Sequence, residues 1–207
     1  MNKKCYIISA GDCTGINILK EENDIIIAVD GGLMYLEDAG IEPDIILGDF
    51  DSLGYTPNGQ CVIEHLPEKD DTDTMLAIKL GVEKGYKEFV LYGVLGKRLD
   101  HTIANLMIVN YLSDNGCKCT IVDEGVIIRN VFDGKLVLES KESGVFSVFT
   151  LKDKAEGISI RGAKYEVENV AFTNSIPLGI SNEFVGSEVV IEVKDGQLIV
   201  MENQKDY

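Results

Sequence analysis

No apolar run approaches the roughly 20 residues that a membrane-spanning helix needs. The longest runs, such as Ile25 to Val29, are strand-sized. Positive charge is scarce: 19 Lys plus Arg stand against 35 Asp plus Glu, a formal charge of −16. That balance repels polyanions at long range and argues against a nucleic-acid or anionic-membrane partner. Histidine is nearly missing, with two in 207 residues, and the five cysteines are odd in number. Neither a disulfide framework nor a paired zinc-ligand pattern can be drawn from them. Cys117-Lys118-Cys119 comes nearest and reads as thiols at a strand end. The N-terminus runs from Lys3-Lys4 into Cys5-Tyr6-Ile7-Ile8 and breaks at Gly11, too short a stretch for a secretory signal core. A reduced, cytoplasmic protein is the expectation. No internal repeat, low-complexity tract or Pro/Ser-rich linker is present. What remains is an ordinary globular composition, 45% hydrophobic and 26% charged, at a length that admits one large domain or two small ones.

The two halves differ in pattern. In the first, short apolar runs at Tyr6–Ser9, Ile25–Val29, Ile45–Leu47, Phe89–Tyr92 and Thr120–Val122 predict strands buried on both faces. Helical periods lie between them. Thr74–Lys84 carries Met75, Ile78 and Val82 on one side and ends before Gly85, and His101–Leu112 behaves similarly. Strand and helix in alternation predict right-handed crossovers. The expectation is an N-terminal Rossmann-like parallel sheet with helices on both faces, over residues 1–126. After about Glu124 the pattern changes to β-branched and aromatic runs, with Val145–Leu151, Gly157–Ile160, Glu188–Val193 and Leu198–Met201 as candidate strands. Asp133-Gly134 and Asp195-Gly196, each between apolar runs, predict hairpin turns. A C-terminal all-β, sandwich-like domain over 127–207 is expected.

Three aspartate-bearing segments fall just after predicted strands of the first half, where open α/β sheets bind ligands. Ala28-Val29-Asp30-Gly31-Gly32 empties a strand into two glycines, which serve a tight turn or a close ligand approach equally well. Gly48-Asp49-Phe50-Asp51-Ser52 sets two carboxylates two residues apart, suited either to an Asx-rich turn or to one shared cation. Asp70-Asp71-Thr72-Asp73-Thr74 precedes a predicted helix. One cap needs one residue, whereas three aspartates in four positions repel one another unless a divalent cation or a cationic substrate offsets them. A fourth segment, Gly93 to His101, joins glycines, Lys97 and Arg98 at a helix start and makes an anion site. It is not a Walker A loop, and Gly11-Asp12-Cys13-Thr14-Gly15 is not a dinucleotide fingerprint. With only three arginines in the chain, Arg98 beside a glycine loop is suggestive, while a lone His101 in a first helical turn is more often structural. Several short carboxylates facing one basic cradle suit a nucleotide polyphosphate with Mg²⁺ completing its octahedron.

On these residues the sequence resembles the thiamine pyrophosphokinase family. Asp30-Gly31-Gly32, Pro43-Asp44 with Gly48 to Ser52, Asp71-Thr72-Asp73, and Gly93 to His101 with Asn105 match that family's catalytic domain in order and spacing. Gly162-Ala163-Lys164-Tyr165 and Ser181-Asn182-Glu183-Phe184 resemble its thiamine-binding segments more loosely. The resemblance implies diphosphoryl transfer from ATP to the hydroxyethyl oxygen of thiamine, giving thiamine diphosphate and AMP, with Mg²⁺, in a homodimer whose active sites lie between subunits. It implies Asp49, Asp51, Asp71 and Asp73 as metal ligands, and Asp73, Asp100 and Arg98 as catalytic residues. Asp30, Gly31, Thr72, Gly93, Gly96, Lys97, Arg98 and His101 become candidates for ATP contact. Lys97 stands where many relatives carry Gly. Tyr165, Ser181 and Asn182 are the candidates for thiamine, whose cationic, flat rings suit an aromatic face and acidic surroundings. Two other classes compete: an Mg²⁺-dependent phosphohydrolase using the same aspartates, and a non-catalytic nucleotide or thiamine sensor.

Overall fold

The computed structural model describes residues 3–48, 61–64 and 71–204. The fold is mixed α/β, with a large sheet and three helices among the described residues. Contacts divide the chain into two units: Met1–Ile108 with Asn115–Glu124, and Val109–Asp114 with Gly125–Tyr207.

In the first unit the apolar runs pair in parallel: β1 (Lys4–Ile8), β2 (Ile25–Val29), β3 (Ile45–Gly48), β4 (Val62–Glu64), β5 (Glu88–Tyr92) and β6 (Lys118–Val122), in spatial order β6-β5-β1-β2-β3-β4. The sheet grows outward from β1 to β4, then resumes on the other side of β1 with β5. Every residue of β2 is buried, as a strand covered on both faces requires. Helix α1 (Gly32–Asp38) sets Leu33 and Leu36 against Tyr6, Ile8, Ile26 and Ala28. Helix α2 (Asp73–Glu83) meets the opposite face, since successive strand side chains alternate and Gly81 lies over Cys5 and Phe89. A Cβ at Gly81 would stand 2.7 Å from the Phe89 ring, so glycine is what lets this helix close on the sheet. Helix α3 (Leu99–Asp114) follows β5.

The second unit is antiparallel: β7 (Val126–Leu138), β8 (Val145–Phe149), β9 (Lys154–Arg161), β10 (Val167–Thr173), β11 (Gly179–Glu183) and β12 (Val189–Asn203). β12 is its hub, pairing with β7, β8 and β9, while β10 joins β9 and β11 joins β8. Its core is built from Phe146, Val148, Ile158, Ile191, Leu198 and Val200, with the Phe146 and Phe184 rings tilted at 5.0 Å. The expected hairpin turns at Asp133-Gly134 and Asp195-Gly196 are absent. Both dipeptides lie inside long strands, where the β7·β12 register shifts between Val193 and Gln197. The positive φ of Asp133 (41°) and Gly196 (97°) that favours a turn serves a bulge here, because the partner strand continues past it.

Candidate functional site

The carboxyl ends of β1, β2 and β5 open onto one cavity of about 480 Å³ in the first unit. Ligands in open parallel sheets sit where the strand order reverses, and here that point lies beside β1. Of the residues singled out from the sequence, Asp30, Thr72, Asp73, Gly93, Gly96, Lys97, Arg98 and His101 all line this cavity. Gly31, Asp71 and Asp100 are not among its lining residues. Asp49 and Asp51 lie outside the described residues.

On the acidic side, Thr72 caps α2: its hydroxyl accepts the Met75 backbone N–H at 3.2 Å, which leaves Asp73 in the first helical turn. Asp71 accepts from the Lys79 ammonium at 2.5 Å. Thr74 is buried, and its hydroxyl shares a 3.0 Å hydrogen bond with Ser9 at the end of β1, tying the helix start to the sheet. Asp30 holds a left-handed backbone, φ 48°. Its carboxylate crosses so close to Gly48 that a Cβ there would meet Oδ1 at 1.9 Å.

On the basic side, the Gly93–Arg98 loop is held by the residues that follow β1 and by side chains of α1 and α3. Asp12 accepts the Lys97 backbone N–H at 3.1 Å. The Lys97 ammonium donates to the Ala10 carbonyl at 2.7 Å and to the Tyr35 hydroxyl at 3.2 Å, and that hydroxyl donates to the Gly11 carbonyl at 2.7 Å. Lys97 has φ 47°, a conformation that favours Gly. Buried Asn105 donates to the Val94 carbonyl at 2.7 Å, fixing the loop to α3. Arg98 grips the Asp100 carboxylate through Nε at 3.1 Å and Nη2 at 2.7 Å. That pair of hydrogen bonds raises the Arg98 guanidinium and holds the Asp100 carboxyl below the usual carboxylate range. Asp100 also accepts the His101 backbone N–H at 3.0 Å. Two carboxylates thus face three basic side chains across one cavity, an arrangement suited to an anion that carries a cation with it.

The sequence reading missed Asp12 and Tyr35, and it left Ser9, Ala10 and Gly11 unassigned although they line the cavity. The signal for Ser9 to Asp12 was position, since they follow the first buried strand as Asp30 follows the second; Tyr35, inside α1, carried no such signal.

In the second unit Tyr165 and Asn182 come together. The Asn182 side chain, 5% exposed, accepts the backbone N–H of Tyr165 at 3.0 Å and of Glu183 at 2.9 Å, and donates to the Tyr165 carbonyl at 2.8 Å. The Tyr165 side chain is exposed, with the Lys164 ammonium 5.3 Å from its ring centroid. Ser181 is exposed at φ 55° and donates its N–H to the Ser147 hydroxyl.

A family model described as the catalytic domain of thiamin pyrophosphokinase matches residues 16–121, and one described as the vitamin B1 binding domain of thiamin pyrophosphokinase matches residues 135–198. Thiamine pyrophosphokinase of Bacillus subtilis (strain 168) is 29% identical over 199 residues, covering 92% of this chain and 91% of its own. Thiamin pyrophosphokinase 1 of Caenorhabditis elegans is 27% identical over 175 residues, covering 77% of this chain and 70% of its own. The crystal structure of thiamine pyrophosphokinase from Bacillus subtilis superposes at a TM-score of 0.84 with 26% identity, covering 98% of this chain and 100% of that one.

Proposed function

The chain belongs to the thiamin pyrophosphokinase family, and from that premise we propose that it transfers a diphosphoryl group from ATP to the hydroxyethyl oxygen of thiamine, giving thiamine diphosphate and AMP. One observation carries the reading at the level of chemistry: Asp30 and Asp73 share a cavity with Lys97, Arg98 and His101 at the carboxyl edge of the parallel strands. We assign the finer architecture accordingly, with a Rossmann-like catalytic domain over residues 1–126 and an all-β thiamine-binding domain over 127–207.

Arg98 and the backbone N–H groups of the Gly93–Arg98 loop bind the polyphosphate, with Lys97 pinning that loop to the segment after β1 and to Tyr35 of α1. Arg98 meets ATP from its fork with Asp100, so Asp100 acts partly by aiming the guanidinium. Asp73 or Asp100 accepts the hydroxyl proton late in transfer, because an alcohol ionises only as its oxygen bonds to phosphorus. His101 contacts the nucleotide from the same helix turn. The donor set fits Mg²⁺: Asp30 and Asp73 offer hard oxygens beside a loop suited to phosphate, and the phosphate oxygens would supply the remaining ligands. Asp73 is assigned to hold the ion together with Asp49, Asp51 and Asp71, the last by exchanging its Lys79 partner. Bound there, Mg²⁺ would neutralise charge developing on the phosphates.

Thiamine is assigned to Tyr165 and Ser181, an aromatic face beside an exposed hydroxyl, with Asn182 acting through the backbone it braces. A homodimer with active sites between subunits follows from the same family reading. The exposed Leu99, Ile103 and Met107, spaced by four along α3 from beside Arg98, suit a face that a second copy covers. No helix among the described residues is long and apolar enough to cross a membrane; we assign the protein to the cytoplasm. Neither the hydrolase nor the sensor reading is favoured.

The test is to incubate the protein with Mg²⁺ and ATP, with and without thiamine, and to resolve the products. AMP and thiamine diphosphate in equal amounts, formed only with thiamine present, are expected. ADP or free phosphate without thiamine would make it a hydrolase instead.

A further inference from the structure

A second cavity, of about 320 Å³, lies wholly within the second unit, at the level where β7 and β12 bulge together. Gln197, 3% exposed, lines it, and neither its amide nitrogen nor its amide oxygen has a hydrogen-bond partner among the described residues. A buried carboxamide left without partners is costly, and native interiors rarely tolerate both of its atoms in that state. The lining charges are already sorted. The Lys152 ammonium is bound at 2.7 Å by both oxygens of Asp114, and Lys154 is paired with Glu156 at 2.5 Å. Asp133 and Asp195 remain, both exposed, lining the cavity and making no ion pair among the described residues. The partly buried Phe132 adds an aromatic side chain.

We propose that this bulged seam is a second small-molecule site, taking an organic cation whose ring carries an amino group beside a ring nitrogen. A carboxamide satisfies both its atoms at once against such an edge, donating to the ring nitrogen and accepting from the amino group. Asp133 and Asp195 supply the attraction for positive charge, and Phe132 supplies a π face for it. The volume suits a ligand of one or two rings. Thiamine and the adenine nucleotides both carry that edge. The two carboxylates favour the first, which is a cation, and disfavour the second, which are anions. The site is read from the cavity alone; its assignment to thiamine rests on the proposed substrate, so that substrate would report to the second unit at a point separate from Tyr165.

The test is equilibrium dialysis of thiamine against the full chain without ATP, with AMP and choline as separate probes. Two equivalents of thiamine per chain are expected, falling to one in Gln197→Met, which keeps its KM for thiamine in the product assay. Asp195→Asn, an exposed substitution that tests the site if Gln197→Met does not fold, should weaken the second equivalent at least tenfold. A single equivalent in the wild-type chain, unchanged in both variants, overturns the proposal. So does AMP filling the second site, against the charge argument, or choline filling it as well as thiamine does, against recognition by Gln197. Two equivalents without any diphosphoryl transfer would leave this site standing and strike the proposed function instead.

Discussion

Asn182 permits a prediction that separates architecture from contact. Replacing it with alanine removes three hydrogen bonds, from the N–H of Tyr165, from the N–H of Glu183 and to the carbonyl of Tyr165, at 3.0, 2.9 and 2.8 Å. A neutral hydrogen bond contributes about 1 kcal/mol net, so the loss is about 2–4 kcal/mol, its upper part reflecting backbone groups left without a partner in a site only 5% exposed. For a unit of the size of the second, that lowers its melting temperature by roughly 8–32 °C. With two units, the transition of the second is the relevant one, followed by calorimetry. Asn182→Asp keeps both accepting contacts but sets a carboxylate against the Tyr165 carbonyl, so its loss should be at least as large as one hydrogen bond. In kinetics, Asn182→Ala should raise the KM for thiamine several-fold while that for ATP stays within twofold, because only the Tyr165 segment loses its brace. A stability change under about 0.5 kcal/mol would refute the energetic reasoning. Equal rises in both KM values would refute the assignment of this segment to thiamine.

Other expectations follow from separate parts of the molecule. Asp73→Asn should lower turnover by about two orders of magnitude or more with an unchanged melting temperature, and near-normal turnover would remove Asp73 from the mechanism. Gly96→Ala places a Cβ 2.0 Å from Asp12 Oδ2 at φ 75°, so Asp12 must leave the Lys97 N–H. The strain and the lost charge-assisted bond together amount to about 2–5 kcal/mol, readable as a urea-midpoint shift and a raised KM for ATP. Burial works against the Glu202 carboxylate, but hydrogen bonds from Lys141 and Arg129 outweigh it and hold its pKa below the ordinary value. Its stabilising contribution is therefore complete above the unfolded pKa of about 4.3 and is lost as pH falls through the folded value; Glu202→Gln should cost about 1–3 kcal/mol at pH 7, and the gap to wild type should close in acid. The Cys119 thiol is pushed up to about 12 by burial, and burial also raises Cys5, Cys13 and Cys117. A native thiol titration at pH 8 should find Cys61 reacting first and the three buried thiols only on unfolding; rapid reaction of three or more would contradict the packing.

Elements with a single structural solution were readable from the sequence. Five consecutive apolar residues at Ile25–Val29, four of them β-branched and too few for a helix, point to a strand covered on both faces, and Thr72 and Gly85 bracket α2 with a start and a stop signal. The Asp-Gly pairs were misread because bulge and turn draw on the same backbone freedom. What separates them is whether a distant strand continues alongside, which no local window contains. Helix α1 has seven residues and opens on Gly31-Gly32, and β4 has three, both below the length at which periodicity speaks. In the candidate site, Asp30, Asp73 and Arg98 were found by a rule about strand ends and helix starts. Asp12 and Tyr35 were not, because each acts on Lys97 from 62 or more residues away.

The hub position of β12 has a consequence for how the chain is made. β7 is complete at Leu138, but the strand that covers its edge begins only at Val189, about 50 residues later. At ordinary synthesis rates the ribosome needs roughly 3–10 s to add them. Throughout that interval β7, and from Arg161 onward β9 as well, is without the central strand they share, while the parallel strands β1 to β6 have already been synthesised. The nascent second unit therefore carries unpaired strand edges for that interval; slow codons placed before Val189 would lengthen the exposure, whereas the same codons just after Val122 would give the first unit time to close.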